Sequence, residues 1–307
     1  MKHMRKAAWI VAGGSTILLG GCAAYSGVVA ARWRAWERGV ERHPDGVRVG
    51  CEPFSVGQGR TAILFVHGFG DNPSTWRPMA EKFAAHGFHC RAMRLPGFGG
   101  TMDERKAVTL ETWTRAVADE ALALRRAHDE VWIVAHSLGA AVSVRHVLDG
   151  GNEVTGLALL APLVKVSGKR SPLLSARTWF QVLGRWTPLA ESMFPEDVRK
   201  DLPPGRPDVE RFIPVNIYVA LFRLLDENEN QAGDLRVPLY GAVSPHDKVA
   251  DWRAAEAWLN RTSQVPRRRL VRANDSAHLI PIDFDAGWIG DEIEEFVKGP
   301  ENVSEFL

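Results

Sequence analysis

The feature that most constrains this sequence is a serine placed between a predicted strand and a predicted helix. An apolar, β-rich run at residues 131–135 ends abruptly before Ser137, and a helix-forming run follows. Such a turn strains the serine backbone and holds its hydroxyl clear of the sheet edge. The strand and helix backbones approach closely there, so the flanking positions must be small, as Ala135 and Gly139 are. Ser137 is therefore a candidate nucleophile, and a serine that only caps a buried helix is the alternative.

The rest of the chain alternates strand-like and helix-like segments, which predicts an α/β fold with a mostly parallel, doubly wound sheet. Continuous apolar runs such as residues 61–67 are typical of strands covered on both faces. The alternation is interrupted at about residues 163–235, where two apolar helical segments, 175–186 and 215–225, stand among several prolines. We interpret this insertion as a cap over the mouth of the sheet.

Composition excludes several classes of function. The 307 residues are 45% hydrophobic and carry a net charge of +1, so no basic field is present to attract nucleic acid. No metal-type spacing of Cys and His occurs, and we expect neither a metal nor a cofactor. Cys51 and Cys90 lie in apparent strands, where two buried free thiols are favoured over a disulfide.

The N-terminus resembles the export signal of bacterial lipoproteins. Three basic residues precede an apolar stretch that ends in Leu-Gly-Gly-Cys22, and this pattern is similar to a lipobox. The resemblance implies removal of residues 1–21 and acylation of Cys22, which would tether the protein to the bacterial cell envelope, facing the periplasm or the exterior. The alternative is an uncleaved anchor, because residues 7–31 carry no charge. Residues 22–45 are then a lipid-anchored linker, 46–300 the folded domain and 301–307 a tail.

A serine nucleophile needs a histidine base, and that histidine needs a carboxylate to hold its tautomer. His278 and Asp247 each lie in a loop that follows a predicted late strand. The competing residues are of the same two types: His67, His136, His146 and His246 as bases, and Asp226 and Asp275 as acids.

From about residue 47 to residue 297 the chain resembles the α/β-hydrolase family. The resemblance depends on four motifs in the family's order: His67-Gly68, the turn at Ser137, then Asp247, then His278. The branch with the most similar loops contains bacterial carboxylesterases and monoacylglycerol lipases, although Arg94 stands where the family often has Asp. The resemblance implies a helical cap inserted after the sixth strand.

The resemblance also implies the roles of the site residues. Ser137, Asp247 and His278 form the catalytic triad, and the backbone N–H groups of Phe69 and Leu138 form the oxyanion hole. The expected reaction is hydrolysis of a small acyl ester or lipid through an acyl-serine. Lysophospholipase, thioesterase or peptidase activity would use the same triad, and a non-catalytic binding protein of this fold is the alternative of a different class.

We expect the acyl pocket to be lined by apolar residues of the cap. The first cap segment supplies several large apolar side chains at helical spacing, and from them we predict Trp179, Phe180 and Trp186 as substrate-binding residues. The wider set of candidates is Leu173, Leu174, Val182, Leu183, Met193 and Phe194. If the first segment only packs on the core, the acyl pocket is expected in residues 215–225.

Overall fold

The computed structural model describes residues 2–170, 176–184, 186–192, 196–202 and 204–299, with the backbone alone for residues 2–19, 170, 176, 179, 182 and 183. The strands are β1 Phe54–Val56, β2 Thr61–Val66, β3 His89–Met93, β4 Glu130–His136, β5 Gly156–Leu160, β6 Leu189–Glu191, β7 Phe212–Pro214, β8 Leu239–Val243 and β9 Arg268–Arg272. The helices are α1 Lys2–Glu37, α2 Arg77–Ala85, α3 Met102–Ala107, α4 Leu110–Ala127, α5 Leu138–Leu148, α6 Ala176–Leu183, α7 Val215–Asn228, α8 Trp252–Asn260 and α9 Ala286–Lys298.

The main sheet of the described residues has the strand order β1-β3-β2-β4-β5-β8-β9. Only β1 runs antiparallel to its neighbour, and the other six strands are parallel. Strands β4 and β5 lie at the centre and are almost entirely buried, because both of their faces are covered. The predicted mostly parallel sheet is confirmed.

Two apolar cores lie on opposite faces of this sheet. One core joins the sheet to α4, α5 and α7 around the buried Trp113. The other joins it to α2 and α9 around Trp76 and Phe83. Helices on both faces make the fold doubly wound, and they leave the loops at the carboxyl ends of the strands to form a site.

The insertion lies between β5 and β8 and contains α6, the antiparallel pair β6–β7, and α7. It therefore follows the fifth strand of the chain, and the prediction that it follows the sixth was wrong. The sixth position was implied by the resemblance; here a single short strand, β1, precedes β2, and residues 47–53 contribute only the isolated bridge between Arg42 and Arg48. The cap candidates Leu173, Leu174, Met193 and Phe194 lie outside the described residues.

The segment predicted as a linker is helical as far as Glu37. The second half of α1 packs on the cap, where Val29 is buried and the ring of Trp36 lies 5.7 Å from that of Phe212. Arg32 adds a salt bridge to Glu191 at 2.8 Å. No described helix is both long enough and apolar enough to cross a membrane. The tail at residues 301–307 lies outside the description.

The cysteine thiols are free. Cys51 and Cys90 are both fully buried, as predicted, and they do not form a disulfide. Burial raises the pKa of the Cys90 thiol to about 12. Burial also raises the pKa of Cys51, although Arg48 beside it acts in the opposite direction. Both thiols are thus neutral packing groups.

Candidate active site

Ser137 occupies the turn between β4 and α5 with a backbone φ of 53° and ψ of −115°. A non-glycine residue in this region is strained by about 1–3 kcal/mol, and the strain persists only where neighbouring structure enforces it. The Ser137 N–H donates to the carbonyl of Leu160 at 3.0 Å, and its own carbonyl accepts from Leu163 at 3.2 Å. Neighbouring β5 and the start of the cap therefore hold the strained turn.

Gly139 lets α5 approach the sheet. A Cβ atom there would lie 2.5 Å from the carbonyl oxygens of both Val66 and His67. No side chain fits at that distance from backbone. The small residue predicted two positions after Ser137 is therefore required by contact between the helix and β2.

The structure brings the three predicted triad residues together. Nε2 of His278 lies 2.9 Å from Oγ of Ser137, and Nδ1 of His278 lies 2.7 Å from Oδ2 of Asp247. All three side chains are buried. The second carboxylate oxygen of Asp247 accepts from the backbone N–H groups of Val249 and Ala250 at 2.7 and 2.8 Å, which fixes the carboxylate facing the ring. This chain of hydrogen bonds can move a proton from the serine hydroxyl to the imidazole.

The other histidines are used elsewhere. His136 donates from Nε2 to the backbone carbonyl of His278 at 2.9 Å, so it supports the base without replacing it. His67 is fully buried and accepts from the Leu95 N–H at 3.0 Å, while His146 pairs with Glu153 and His246 is exposed. Burial lowers the pKa of His136 to about 3, and burial also lowers the pKa of His67. Both rings are neutral structural groups.

The competing carboxylates also lie away from His278. Asp226 is exposed on α7, where it pairs with Arg177 at 2.7 Å. Asp275 is exposed in the loop that leads to His278. Among the carboxylates weighed from the sequence, Asp247 is the one bonded to His278.

The loop after β2 borders the serine. A Cβ atom on Gly68 would lie 2.9 Å from Nδ1 of His136 and 3.2 Å from Cβ of Ser137, so this loop passes directly over the turn. The ring of Phe69 is held edge-on against Phe98 at 5.4 Å. Leu138 is the first residue of α5, and the first N–H groups of a helix have no acceptor within the helix. The predicted pair of backbone donors therefore lies on the two segments that flank Ser137.

A cavity of about 280 Å³ opens above Ser137 and His278. Its apolar wall comes from α7 and from the start of the cap, with further contacts from three core loops. The apolar lining residues are Phe69, Leu163, Val166, Val209, Tyr218, Leu221, Phe222, Val249 and Leu279. The cap helix α7 therefore supplies one side of the cavity with residues at helical spacing.

The prediction of Phe180 and Trp186 as lining residues was wrong. The ring of Phe180 packs behind the cavity wall, 6.0 Å from Tyr218 and 5.5 Å from Phe222. Trp186 is about half exposed at 48%, and its carbonyl accepts from Ser26 of α1. Helical spacing identifies an apolar face but does not say whether that face meets a neighbour or a cavity. The side chain of Trp179 lies outside the description.

Buried ion pairs form the polar end of the cavity. Arg206 contacts Asp71 and Glu196, each at 2.5 Å, and Arg105 contacts Glu210 at 2.7 Å. Sequence reasoning missed these residues as a group because isolated charged residues far apart in the chain carry no periodic signal. Arg206 is shared by two carboxylates and Glu210 also has Arg48 at 3.8 Å, so each of these buried charges lies beside an opposite one. Within the described residues, no three His, Cys, Asp or Glu side chains are grouped to hold a metal ion.

The comparison with known families agrees with this geometry. The sequence profile of the hydrolase family described as serine aminopeptidase S33 matches residues 57–285, which is most of the chain. The chain belongs to this family. The hydrolase has the α/β-hydrolase fold, and the hydrogen-bonded residues Ser137, Asp247 and His278 all lie within the matched range.

Individual relatives align along nearly their full length. A thermostable monoacylglycerol lipase of Bacillus sp. strain H-257 is 23% identical over 83% of this hydrolase and 97% of the relative. A carboxylesterase of Bacillus subtilis is 20% identical over 80% of this hydrolase and 96% of the relative. The solved structure of a monoacylglycerol lipase from Paleococcus ferrophilus superposes with a TM-score of 0.66, at 17% identity over 80% of this hydrolase and 97% of that chain. The structural likeness establishes the shared fold.

Proposed function

We propose that this hydrolase cleaves carboxylic esters through an acyl-serine intermediate on Ser137. The observation that carries the proposal is the continuous hydrogen-bonded relay from Ser137 Oγ through His278 to Asp247, ending at a serine held in a strained turn. A serine that only capped a helix would bond to the backbone of α5, and the side chain of Ser137 makes no such cap. The relay instead pairs the hydroxyl with a base.

The reaction follows from these positions. Ser137 Oγ attacks the ester carbonyl as His278 Nε2 takes its proton, and Asp247 stabilises the imidazolium that forms. The N–H groups of Phe69 and Leu138 would then donate to the oxyanion of the tetrahedral intermediate, with the field of the α5 N-terminus adding to them. His278 passes the proton to the leaving alcohol. Water then attacks the acyl-serine, and His278 again moves its proton, which frees the acid and restores Ser137.

The cavity supports an acyl chain as the group next to the scissile bond. Its apolar wall meets Ser137 on one side, and burial of methylene groups there would supply binding energy at about 0.8 kcal/mol per CH₂. Resemblance to monoacylglycerol lipases and carboxylesterases points the same way. The family also includes aminopeptidases, which need free negative charge for an α-amino group. Of the four carboxylates that line the cavity, Asp71, Glu196 and Glu210 contact arginines, and Asp197 accepts from the backbone N–H of Lys248. Turnover of amino-acid p-nitroanilides therefore tests aminopeptidase activity directly.

A panel of p-nitrophenyl esters of graded acyl length, with acyl-CoA thioesters, lysophospholipids and amino-acid p-nitroanilides beside it, tests the proposal. We expect turnover of the simple esters and labelling by a fluorophosphonate probe. Ser137→Ala is expected to lower kcat by a factor on the order of 10⁶ without changing the melting temperature. A folded Ser137→Ala protein that keeps its activity would contradict the mechanism. If the protein prefers another substrate class in this panel, the mechanism on Ser137 stands and the proposed ester substrate is wrong.

We further propose that the protein is anchored in the bacterial cell envelope through an acylated Cys22. The support is the basic and apolar leader that ends in Leu-Gly-Gly-Cys22, followed by a segment of α1 that packs on the cap. Mass spectrometry of membrane-extracted protein is expected to give a chain that begins at an acylated Cys22. Recovery of Met1 at the N-terminus would instead favour the uncleaved anchor.

A further inference from the structure

Asp197 belongs to the cap but is bonded to both loops that carry the base and the acid. Its carboxylate Oδ2 accepts from the backbone N–H of Lys248 at 2.7 Å. Its backbone carbonyl accepts from the N–H of Leu279 at 3.0 Å. Lys248 follows Asp247 in the chain, and Leu279 follows His278. One cap residue thus joins the two positions next to the hydrogen-bonded Asp247 and His278.

The bond to Lys248 is buried on the Asp197 side, where the side chain is 7% exposed. The Lys248 ammonium lies 3.9 Å from the other carboxylate oxygen but is largely exposed, so this ion pair contributes little. The useful property of Asp197 is therefore its acceptor oxygen. Lys248 itself is exposed, so without this acceptor its N–H can bond to water, and the loop then loses one of its links to the cap.

The cap residues that follow Asp197 form a second set of hydrogen bonds that hold the loop of His278. The N–H groups of Arg199 and Lys200 donate to the two carboxylate oxygens of Asp283 at 2.9 and 3.0 Å. Asp283 also accepts from the N–H of Ala277 at 2.7 Å, and Ala277 directly precedes His278. The histidine is thus held on both sides by groups tied to the cap. Neither contact involves the strands that carry the loops.

We propose that Asp197 is a positioning residue that holds the loops of Asp247 and His278 at the spacing the triad needs. This inference rests on the proposed serine mechanism. The two loops leave the paired strands β8 and β9 and are joined near the sheet by the Ser244 hydroxyl, which donates to the Ser276 carbonyl. Beyond that bond neither loop is regular, and Asp197 supplies a further link between them at the positions next to Asp247 and His278. A misplacement of about 1 Å in a catalytic group can lower the rate about 100-fold. The cap therefore helps to assemble the triad as well as to enclose the substrate.

The test compares three substitutions in the full-length protein. Asp197→Ala removes the acceptor and is expected to lower kcat about 10- to 100-fold, with KM changed much less. Asp197→Asn keeps an acceptor oxygen and is expected to restore most of the rate. Asp201→Ala is the control, because Asp201 lies in the same segment of the cap but is exposed. It is expected to behave as the unsubstituted protein.

A spectroscopic measurement separates positioning from simple loss of stability. The proton between His278 Nδ1 and Asp247 gives a downfield ¹H resonance, and Asp197→Ala is expected to shift or broaden it at temperatures where the protein is folded. If Asp197→Ala does not fold, Asp197→Ser, whose side chain is too short to reach Lys248, takes its place. An unchanged resonance and kcat in the folded variant would overturn the proposal. Equal impairment of Asp197→Asn would overturn it too, since charge would then matter instead of the acceptor.

The failure of this inference is distinguishable from failure of the proposed function. If Ser137→Ala loses ester hydrolysis while Asp197→Ala does not, only the positioning role is wrong. If the unsubstituted protein hydrolyses no ester, the proposed function is wrong. The histidine resonance needs no substrate and still tests the role of Asp197 in that case.

Discussion

At the scale of single residues, the turn at Ser137 depends on the absence of one carbon atom at Gly139. Gly139→Ala would place a methyl group 2.5 Å from the carbonyl oxygens of Val66 and His67. We expect a loss of about 1–3 kcal/mol of unfolding free energy, because neither strand nor helix can retreat. Fluorophosphonate labelling should also fall, since the clash strains the turn that carries Ser137 and Leu138.

The matched control for that substitution is Gly290→Ala in α9, where the added Cβ would meet ordinary contacts at 3.7 Å. Alanine stabilises a helix interior by about 0.5–1 kcal/mol relative to glycine. Urea unfolding of both variants measures the contrast. Equal stability of the two variants would contradict the close approach of α5 to β2.

His136 makes the stability of the protein depend on pH. Its pKa is lowered by burial, and by the charge of His278 when that ring is protonated, to about 3, against an ordinary value of about 6.5. Between these values the unfolded chain binds a proton that the native protein does not, so stability decreases as the pH falls. The slope from this one group is about 1.4 kcal/mol per pH unit.

The corresponding experiment is urea unfolding of the natural protein and of His136→Asn between about pH 6 and pH 4. We expect the variant to lose less stability per pH unit, although it is less stable at neutral pH because the bond to the His278 carbonyl is weakened. All other titrating groups are common to both proteins, so their contributions cancel when one slope of stability against pH is subtracted from the other. Parallel slopes would show that His136 is not held neutral.

The residues that sequence reasoning identified are those with a local signal. Ser137 stands between a strand and a helix pattern, and Asp247 and His278 follow apolar strands in the order that the resemblance implies. Asp197 has no such signal, because its function depends on two backbone N–H groups that lie 51 and 82 positions later in the chain. Contacts of this kind appear only once the chain is folded.

At the scale of secondary-structure elements, α7 forms one wall of the cavity above Ser137. Tyr218, Leu221 and Phe222 line it, and they stand at helical spacing in the second apolar segment of the insertion. The first apolar segment, which forms α6, has the same periodicity, but its Phe180 packs against α7. Periodicity predicted both helices, whereas the partner of each apolar face was decided by how the two helices pack.

Leu221→Ala is expected to shift the acyl-length preference of the enzyme. Removing its side chain lengthens the cavity, so the ratio of kcat/KM for decanoate over butyrate p-nitrophenyl esters should rise about tenfold, within the 1–3 kcal/mol expected per methylene. Melting temperatures report the accompanying loss of stability. Val219→Ala is the control, because Val219 lies on the same helix but is 53% exposed. An unchanged ratio would mean that the acyl chain binds elsewhere.

At the scale of the whole molecule, the sequence predicted the layers better than their boundaries. Buried parallel strands are recognisable in a sequence as continuous apolar runs, so β2, β4, β5 and β8 were all expected. Residues 47–56 have no such continuous apolar run, and there only Phe54–Val56 pairs with β3. The region after Cys22 was expected to be a linker, because nothing in the sequence of α1 indicates that Trp36 meets Phe212.

The bonds between the cap and the catalytic loops also affect how substrate reaches the serine. The Glu210 N–H donates to the Gly70 carbonyl at 2.7 Å, and Asp197 accepts from Leu279, so the cap is joined to the core on both sides of the cavity. A cap joined in this way cannot swing aside as a flap at an oil–water boundary. We therefore expect no interfacial activation: hydrolysis of a short-chain ester should rise smoothly through its solubility limit. A sharp increase in rate when droplets first form would show that these bonds break during turnover.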